Sequence, residues 1–343
     1  MAKSKSTIGV LILNLGTPDS PKVGDVRRYL REFLMDGRVI DVPFLQRFLL
    51  VNLVIAPFRA PQSAKGYHEL WTKDGSPLKV YGLGVARLLQ ESLGDDYHVV
   101  LGMRYQNPSI HAALEEFKGK AIDQLIVLPM YPQYASASTG STHEKVMDEI
   151  KSWEVVPTVK LISQFCSHPL FIKAFAERGR QHMSKTNYDY ILFSYHGLPE
   201  RQILKASCGD NCRLGDCCQA YHAKNQYCYR AQCFETTRLL VKELGIKEGQ
   251  YKVCFQSRLG KEPWIKPYTD EVIKGLAAKK VKKVLVCSPA FVADCLETTV
   301  EIGMEYKKIF MDLGGERWDL VESLNLSPAW IECLKQMVIE HAG

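Results

Sequence analysis

The stretch IGVLILNLGTPDSP, residues 8–21, decides how the chain is read. Its apolar run is too short for a secretory leader and runs into a turn without a small-residue cleavage pattern. An unbroken apolar run of this length, closed by a turn, reads as a strand buried on both faces, as in parallel sheets covered by helices. Six further runs repeat the pattern: YHVVLGMRY (97–105), AIDQLIVLPMY (121–131), VKLISQF (159–165), YDYILFSYHG (188–197), YKVCFQSR (251–258) and VKKVLVCSPAF (281–291). Each leads through a turn into an amphipathic stretch. The fold class is therefore α/β, with two Rossmann-like, doubly wound domains built on parallel sheets.

A break near Trp153–Pro157 leaves three of these runs before it and four after it. The expected domains are 1–155, a first Rossmann-like domain carrying an apolar segment at 42–61, and 156–310, a second carrying a cysteine-rich insertion at 207–228. A closing segment, 311–343, is expected to pack back on the pair. It ends in SPAWIECLKQMVIEHAG, a helix with proline near its start. A length of 343 residues suits two domains, and 46% hydrophobic residues supply a sizeable core. The net charge of +6 is thinly spread, which fits an anionic ligand or membrane surface and argues against a nucleic-acid partner. With no apolar run long enough to span a bilayer, the expected compartment is the cytoplasm, where thiols stay reduced.

The segment VPFLQRFLLVNLVIAPFRAP (42–61) breaks the strand rhythm. It is apolar on nearly every side, interrupted by Arg47 and Asn52. It reads as a core helix, as an apolar lip at the entrance of a hydrophobic ligand, or as a patch resting on a membrane surface.

In open α/β sheets, ligands bind beyond the carboxyl ends of the strands. His196 stands at such an end, before a Gly-Leu-Pro turn. After the last run come Asp294, Glu297, Glu301 and Glu305, spaced three, four and four apart, a spacing that puts carboxylates on one face of a helix. Like charges so placed repel, and Lys307 is the nearest basic relief. A histidine and a row of carboxylates facing one cleft suit a divalent metal or proton removal. Other rim candidates are Arg104 with Tyr105, Arg258 with Trp264, and YPQYASASTGSTHE (131–144), a hydroxyl-rich loop able to cradle an anion. A nucleotide P-loop, a G-x-G-x-x-G turn after the first strand, a G-x-S-x-G elbow and H-E-x-x-H are all missing from the sequence.

Eight motifs, LNLGTPDS (13–20), GSPL (75–78), RYQNP (104–108), LPMYPQYASASTGS (128–141), FSYHGLP (193–199), FQSRLGKEPWIKPYTDE (255–271), SPAFVADCLET (288–298) and ESLN (322–325), stand in one order along the whole chain. Together they resemble the ferrochelatase family. The resemblance implies a chelatase-like pair of Rossmann-like domains around a porphyrin, and a lyase that inserts Fe(II), its metal substrate, into protoporphyrin IX with release of two protons. It implies that His196 and Glu297 form the metal and proton site, with Asp294 and Glu301 on an acidic path. It implies Arg59, Tyr67, Ser76, Arg104, Tyr105 and Trp264 as substrate-binding residues. The alternatives are a coproporphyrin ferrochelatase, another tetrapyrrole chelatase, or a haem or iron–sulfur sensor on the same fold. Haem chemistry makes residues 42–61 read as a lip touching the membrane, so that the chain is cytoplasmic and peripheral at the inner membrane face. A monomer or a homodimer is expected.

Six of the eleven cysteines fall in CGDNCRLGDCCQAYHAKNQYCYRAQC, residues 208–233. Compared with the plain bacterial family pattern, the chain carries extra residues there. Four thiolates can hold a [2Fe–2S] cluster or zinc. The preferred ligands are Cys208, Cys212, Cys217 and Cys228, with Cys218 as substitute and His222 able to join a zinc set.

Overall fold

A computed structural model describes residues 7–258, 260 and 262–343. Leu259 and Lys261, two positions of the 255–271 motif, lie outside the described residues.

The chain divides into two compact units. The first contains residues through Tyr131, Ser136–Gln164 and Leu326–Gly343. Its sheet has four parallel strands: β1 (Thr7–Gly16), β2 (Tyr97–Tyr105), β3 (Ile122–Pro129) and β4 (Thr158–Leu161), in the order β2-β1-β3-β4. Val10 pairs with Val99 on one side and Ile126 on the other. The central strand is covered on both faces, and Val10, Leu11, Ile12 and Leu13 have no exposed surface. Burial of side chains this size contributes about 1.5–3 kcal/mol each, so β1 anchors the unit. At its end Gly16 has φ +115°, and a Cβ there would meet the Tyr105 carbonyl at 1.9 Å. Only glycine lets β1 close against β2 and enter the Thr-Pro turn.

The second unit contains Pro132–Ala135 and Phe165–Asn325. Its strands are β5 (Tyr190–His196), β6 (Tyr251–Gln256), β7 (Lys283–Cys287) and β8 (Arg317–Leu320), parallel and ordered β6-β5-β7-β8. Each sheet thus repeats the same strand order. The second core gathers Leu192, Cys254, Ile273, Val284, Val286, Ile302 and Phe310 around Trp318.

The structure redistributes the strands into four and four. VKLISQF, placed after the break by the sequence, supplies β4, which pairs with β3 through Leu125↔Val159 and Ile126↔Lys160. β8 falls in the polar-looking GERWDL, where Arg317 and Asp319 interrupt any apolar run. The 311–343 segment is divided as well. Arg317–Leu320 belongs to the second sheet, whereas the helix Pro328–Ala342 packs on the helix Pro77–Leu93, and Gln124 Nε2 donates to the His341 carbonyl at 2.6 Å.

Residues 44–70 are helical throughout: Phe44–Leu49, a π-helical Leu50–Ile55, then Ala56–Leu70. The core-helix reading of this segment fails. Phe44, Leu45, Phe48, Leu49, Leu50, Leu53, Val54 and Phe58 are all exposed, Phe58 by 77%. Among the described residues, no helix is long and apolar enough to cross a membrane.

Candidate functional site

His196 is the last residue of β5, in register with Gln256 of β6. Its Nδ1 lies 2.6 Å from the Gly197 carbonyl. A carbonyl only accepts, so Nδ1 carries a hydrogen, and in the neutral imidazole the lone pair is then on Nε2. The Gly197 N–H donates to the Gln256 carbonyl at 2.8 Å. A Cβ on Gly197 would meet that oxygen at 2.8 Å and the Trp264 ring at 3.2 Å, so the tight strand end requires glycine. Trp264 is buried beside the imidazole, with ring centroids 6.4 Å apart.

The acidic side comes from the segment after β7, which turns π-helical over Glu297–Tyr306. Glu301 accepts from the Ser257 N–H (2.9 Å), the Ser257 hydroxyl, the Tyr306 hydroxyl (3.1 Å) and, more distantly, Gln256 Nε2 (3.4 Å). Burial is the main cause that raises the Glu301 pKa above 4.5. Ser257 and Tyr306 pull it back through hydrogen bonds, as does the charge of a protonated His196, and the neighbouring Glu297 charge adds to the rise. The result is a carboxyl with raised proton affinity, within electrostatic reach of both His196 and Glu297.

Sequence reasoning missed Ser257, Gln256 and Tyr306. Ser257 adopts φ +64°, a left-handed conformation that costs a non-glycine residue about 1 kcal/mol or more. That conformation aims its N–H and hydroxyl at one carboxylate. Tyr306 follows Glu301 by five residues, roughly 140° away around an α-helix, but the same spacing closes a π-helical turn. The periodicity test assumed the wrong helix.

The acidic row is only partly assembled. Asp294 precedes the helix. It accepts from the Ser323 N–H (3.1 Å) and Asn325 Nδ2 (2.7 Å), tying the loop to the ESLN motif. Glu305 is exposed.

In the first unit, Asp36 organises a second network. It accepts from Arg104 Nη2 (2.6 Å), the Tyr105 hydroxyl (2.9 Å), the Ser141 hydroxyl and the Arg38 N–H (2.7 Å). Burial opposes ionisation of Asp36, yet Ser141, Arg38, Arg104 and Tyr105 together hold its pKa below 3.8. Tyr105 is wholly buried, and Arg104 also bonds Ser141. Ser76 is buried and accepts from the Thr17 hydroxyl at 2.8 Å, Tyr67 is buried against Tyr29 and Trp71, and Arg59 is exposed. The 131–144 stretch is not an open anion cradle. Ser136–Gly140 is π-helical, Ser136 accepts from Arg38 (2.9 Å), and Thr139 and Thr142 are buried. Arg258 pairs with Asp270 at 3.1 Å and lies over the Tyr268 ring.

In the insertion, Cys212, Cys217, Cys218 and Cys228 line one small, shallow pocket. The Cys217 and Cys218 sulfurs are 3.9 Å apart, and Cys218 and Cys228 are hydrogen-bonded partners. Cys208 is exposed and lies outside the pocket lining. The turn Gly209–Asn211, opened by Gly209 at φ +57°, carries Cys208 outward, while the turn Asp216–Cys218 buries Cys218. His222 is bound by its neighbours Lys224 and Asn225. Four cysteines match the ligands of an iron–sulfur or zinc site in kind. In their present arrangement, no three His, Cys, Asp or Glu residues among those described are set to hold a metal ion.

Two parallel sheets of identical order, with a histidine and carboxylates beyond the strand ends of the second, define a protein of the chelatase fold. Solved structures agree: the sirohydrochlorin chelatase SirB of Bacillus subtilis subspecies spizizenii, in complex with cobalt, matches with a TM-score of 0.55 at 10% identity, covering 98% of this chain and 95% of that one. SirB from Bacillus subtilis with Fe3+ matches with a TM-score of 0.54 at 12% identity, over 78% of this chain and 92% of that one. The Ferrochelatase family model matches residues 7–342. The ferrochelatase of Legionella pneumophila (strain Paris) is 47% identical over 332 residues, 97% of this chain and 98% of the relative. That of Coxiella burnetii (strain Dugway 5J108-111) is 44% identical over 336 residues, 98% and 94%. The chain belongs to the ferrochelatase family, whose chemistry is insertion of a metal ion into a porphyrin.

Proposed function

We propose that the chain inserts Fe(II) into protoporphyrin IX, releasing the two pyrrole protons and forming protohaem as the closing step of haem synthesis. The observation that carries this reading is the His196 imidazole, with its Nε2 lone pair free, set within electrostatic reach of a carboxyl of raised proton affinity, Glu301. Neutral imidazole can take a pyrrole proton or hold Fe(II), and Glu297 is the carboxylate that shares this work. Glu301 receives protons and passes them outward, and Asp294 fixes the loop from which the acidic segment starts. A ring held bent exposes its nitrogen lone pairs to one face, at a cost met by binding energy from the apolar ring and its propionates. Arg59, Tyr67, Ser76, Arg104 and Trp264 are assigned to the porphyrin edge, with Tyr105 supporting Arg104 through Asp36.

The exposed apolar positions between Phe44 and Phe58 are assigned to peripheral contact with a membrane surface, the source and destination of such insoluble rings. Cys212, Cys217, Cys218 and Cys228 are the residues that would hold a [2Fe–2S] cluster, or zinc in its place. Such a centre would supply a cross-link between the insertion and the helix that follows it.

The test is a chelatase assay with Fe(II) against protoporphyrin IX and coproporphyrin III in parallel, on wild type and His196→Ala. The proposal expects preferred turnover of protoporphyrin IX, and a variant that binds porphyrin without metallating it. Faster turnover of coproporphyrin would reassign the substrate, and an active His196→Ala would remove the site assignment.

A further inference from the structure

We propose that Tyr229 is a positioning residue for His196, acting through the peptide that joins His196 to Gly197. This rests on the reading of His196 given above. Tyr229 opens the helix Tyr229–Leu244, and its buried hydroxyl donates to the His196 carbonyl at 2.8 Å. The other side of the same peptide is the Gly197 N–H, which donates to the Gln256 carbonyl at 2.8 Å. The peptide is thus held at both ends, by a side chain on its oxygen and by the neighbouring strand on its nitrogen.

What that peptide sets is the place of the next carbonyl. Gly197 O accepts the hydrogen of His196 Nδ1, and this bond leaves the lone pair on Nε2. Position 197 must be glycine for steric reasons, and glycine does nothing to restrain its own dihedrals. The restraint therefore comes from the partners of the peptide, and Tyr229 is the side-chain partner among them. Without its hydroxyl, the Gly197 carbonyl can drift from Nδ1. The ring is then free to exchange its tautomer, and the Nε2 lone pair loses its fixed direction. Tyr229 directly follows Cys228 of the thiol pocket, so the end of the insertion is seated on the strand that carries His196.

The bland reading is a core tyrosine whose hydroxyl needs any acceptor. A matched control separates the two. Tyr195 is also buried, and its hydroxyl bonds Thr237 Oγ1 at 2.8 Å rather than the His196 carbonyl. Tyr229→Phe and Tyr195→Phe both keep the ring and its packing and delete one buried hydroxyl.

In the full chain labelled with 15N-histidine, wild type should show His196 in the single tautomer with hydrogen on Nδ1. Tyr229→Phe should shift these ring-nitrogen signals toward a tautomer mixture. It should lower kcat about three- to tenfold, the scale of one lost hydrogen bond, with KM for the porphyrin unchanged. Tyr195→Phe should leave the nitrogen signals and KM at wild-type values. Wild-type kcat with unshifted signals in Tyr229→Phe overturns the proposal, as do equal shifts in both variants. An active His196→Ala would instead remove the reading beneath it, while the nitrogen signals would still decide whether Tyr229 holds the ring.

Discussion

Ser257 donates twice to the Glu301 carboxylate, from its backbone N–H at 2.9 Å and from its hydroxyl. Both bonds favour the charged form, against a burial that favours the neutral one. Ser257→Ala removes the hydroxyl and keeps the N–H. The Glu301 pKa then rises further, and the acidic limb of the pH profile of kcat/KM moves to higher pH. A limb that stays in place would mean that Glu301 carries no proton in the reaction.

The same carboxyl makes stability depend on pH. Its folded pKa is raised above 4.5, so the folded chain binds more protons than the unfolded chain above that pH. Stability then falls as pH rises through the window from 4.5 to the raised folded value. Glu301→Gln cannot lose a proton and should gain stability relative to wild type at pH 8 compared with pH 4. Urea titrations at both values would show a pH-independent difference if this account is wrong.

Asp36 has the opposite sign. Its folded pKa is depressed below 3.8, so its contribution is present above that value and is lost as pH falls through the folded pKa. Asp36→Asn leaves the Arg104 guanidinium, 17% exposed, without its counter-charge. A loss of about 3 kcal/mol at pH 7 is expected, the scale for a broken buried pair. Chemical denaturation giving less than ~1 kcal/mol would place the pair among ordinary surface bridges.

The thiol pocket predicts unequal cysteines. Cys208→Ser should keep whatever visible absorption, acid-labile sulfide or zinc the anaerobically purified protein carries, and Cys218→Ser should lose it. Equal loss in both variants would restore Cys208 to the ligand set.

On the helical segment, Leu53→Asp with Val54→Asp changes two exposed side chains. Stability should move by less than about 0.5 kcal/mol per site. Pelleting with anionic liposomes should drop sharply, and unchanged pelleting would dissociate this surface from membrane contact.

Seven of the eight strands were legible as apolar runs, because a strand buried on both faces writes its environment into consecutive residues. β8 was not, since Arg317 and Asp319 alternate with Trp318 and Leu320 and leave no continuous apolar run. The sheet to which VKLISQF belongs was not legible either. Its residues say that it is extended and half-buried, but only pairing of Leu125 with Val159 says beside which strand.

The candidate site divides in the same way. The chain order alone put His196 at a strand end and Glu297 and Glu301 just beyond another, and its motifs marked the family. Only the tertiary structure decided that Asp294 serves a loop, that Ser257 and Tyr306 serve Glu301, that Tyr229 reaches the His196 carbonyl, and that Cys218 rather than Cys208 joins the pocket. The physical reason is range. Burial and periodicity are local properties that each residue carries with it. A hydrogen bond across 33 or 44 residues, or a pocket lined by four cysteines, exists only after strands have chosen their registers and turns have aimed their side chains.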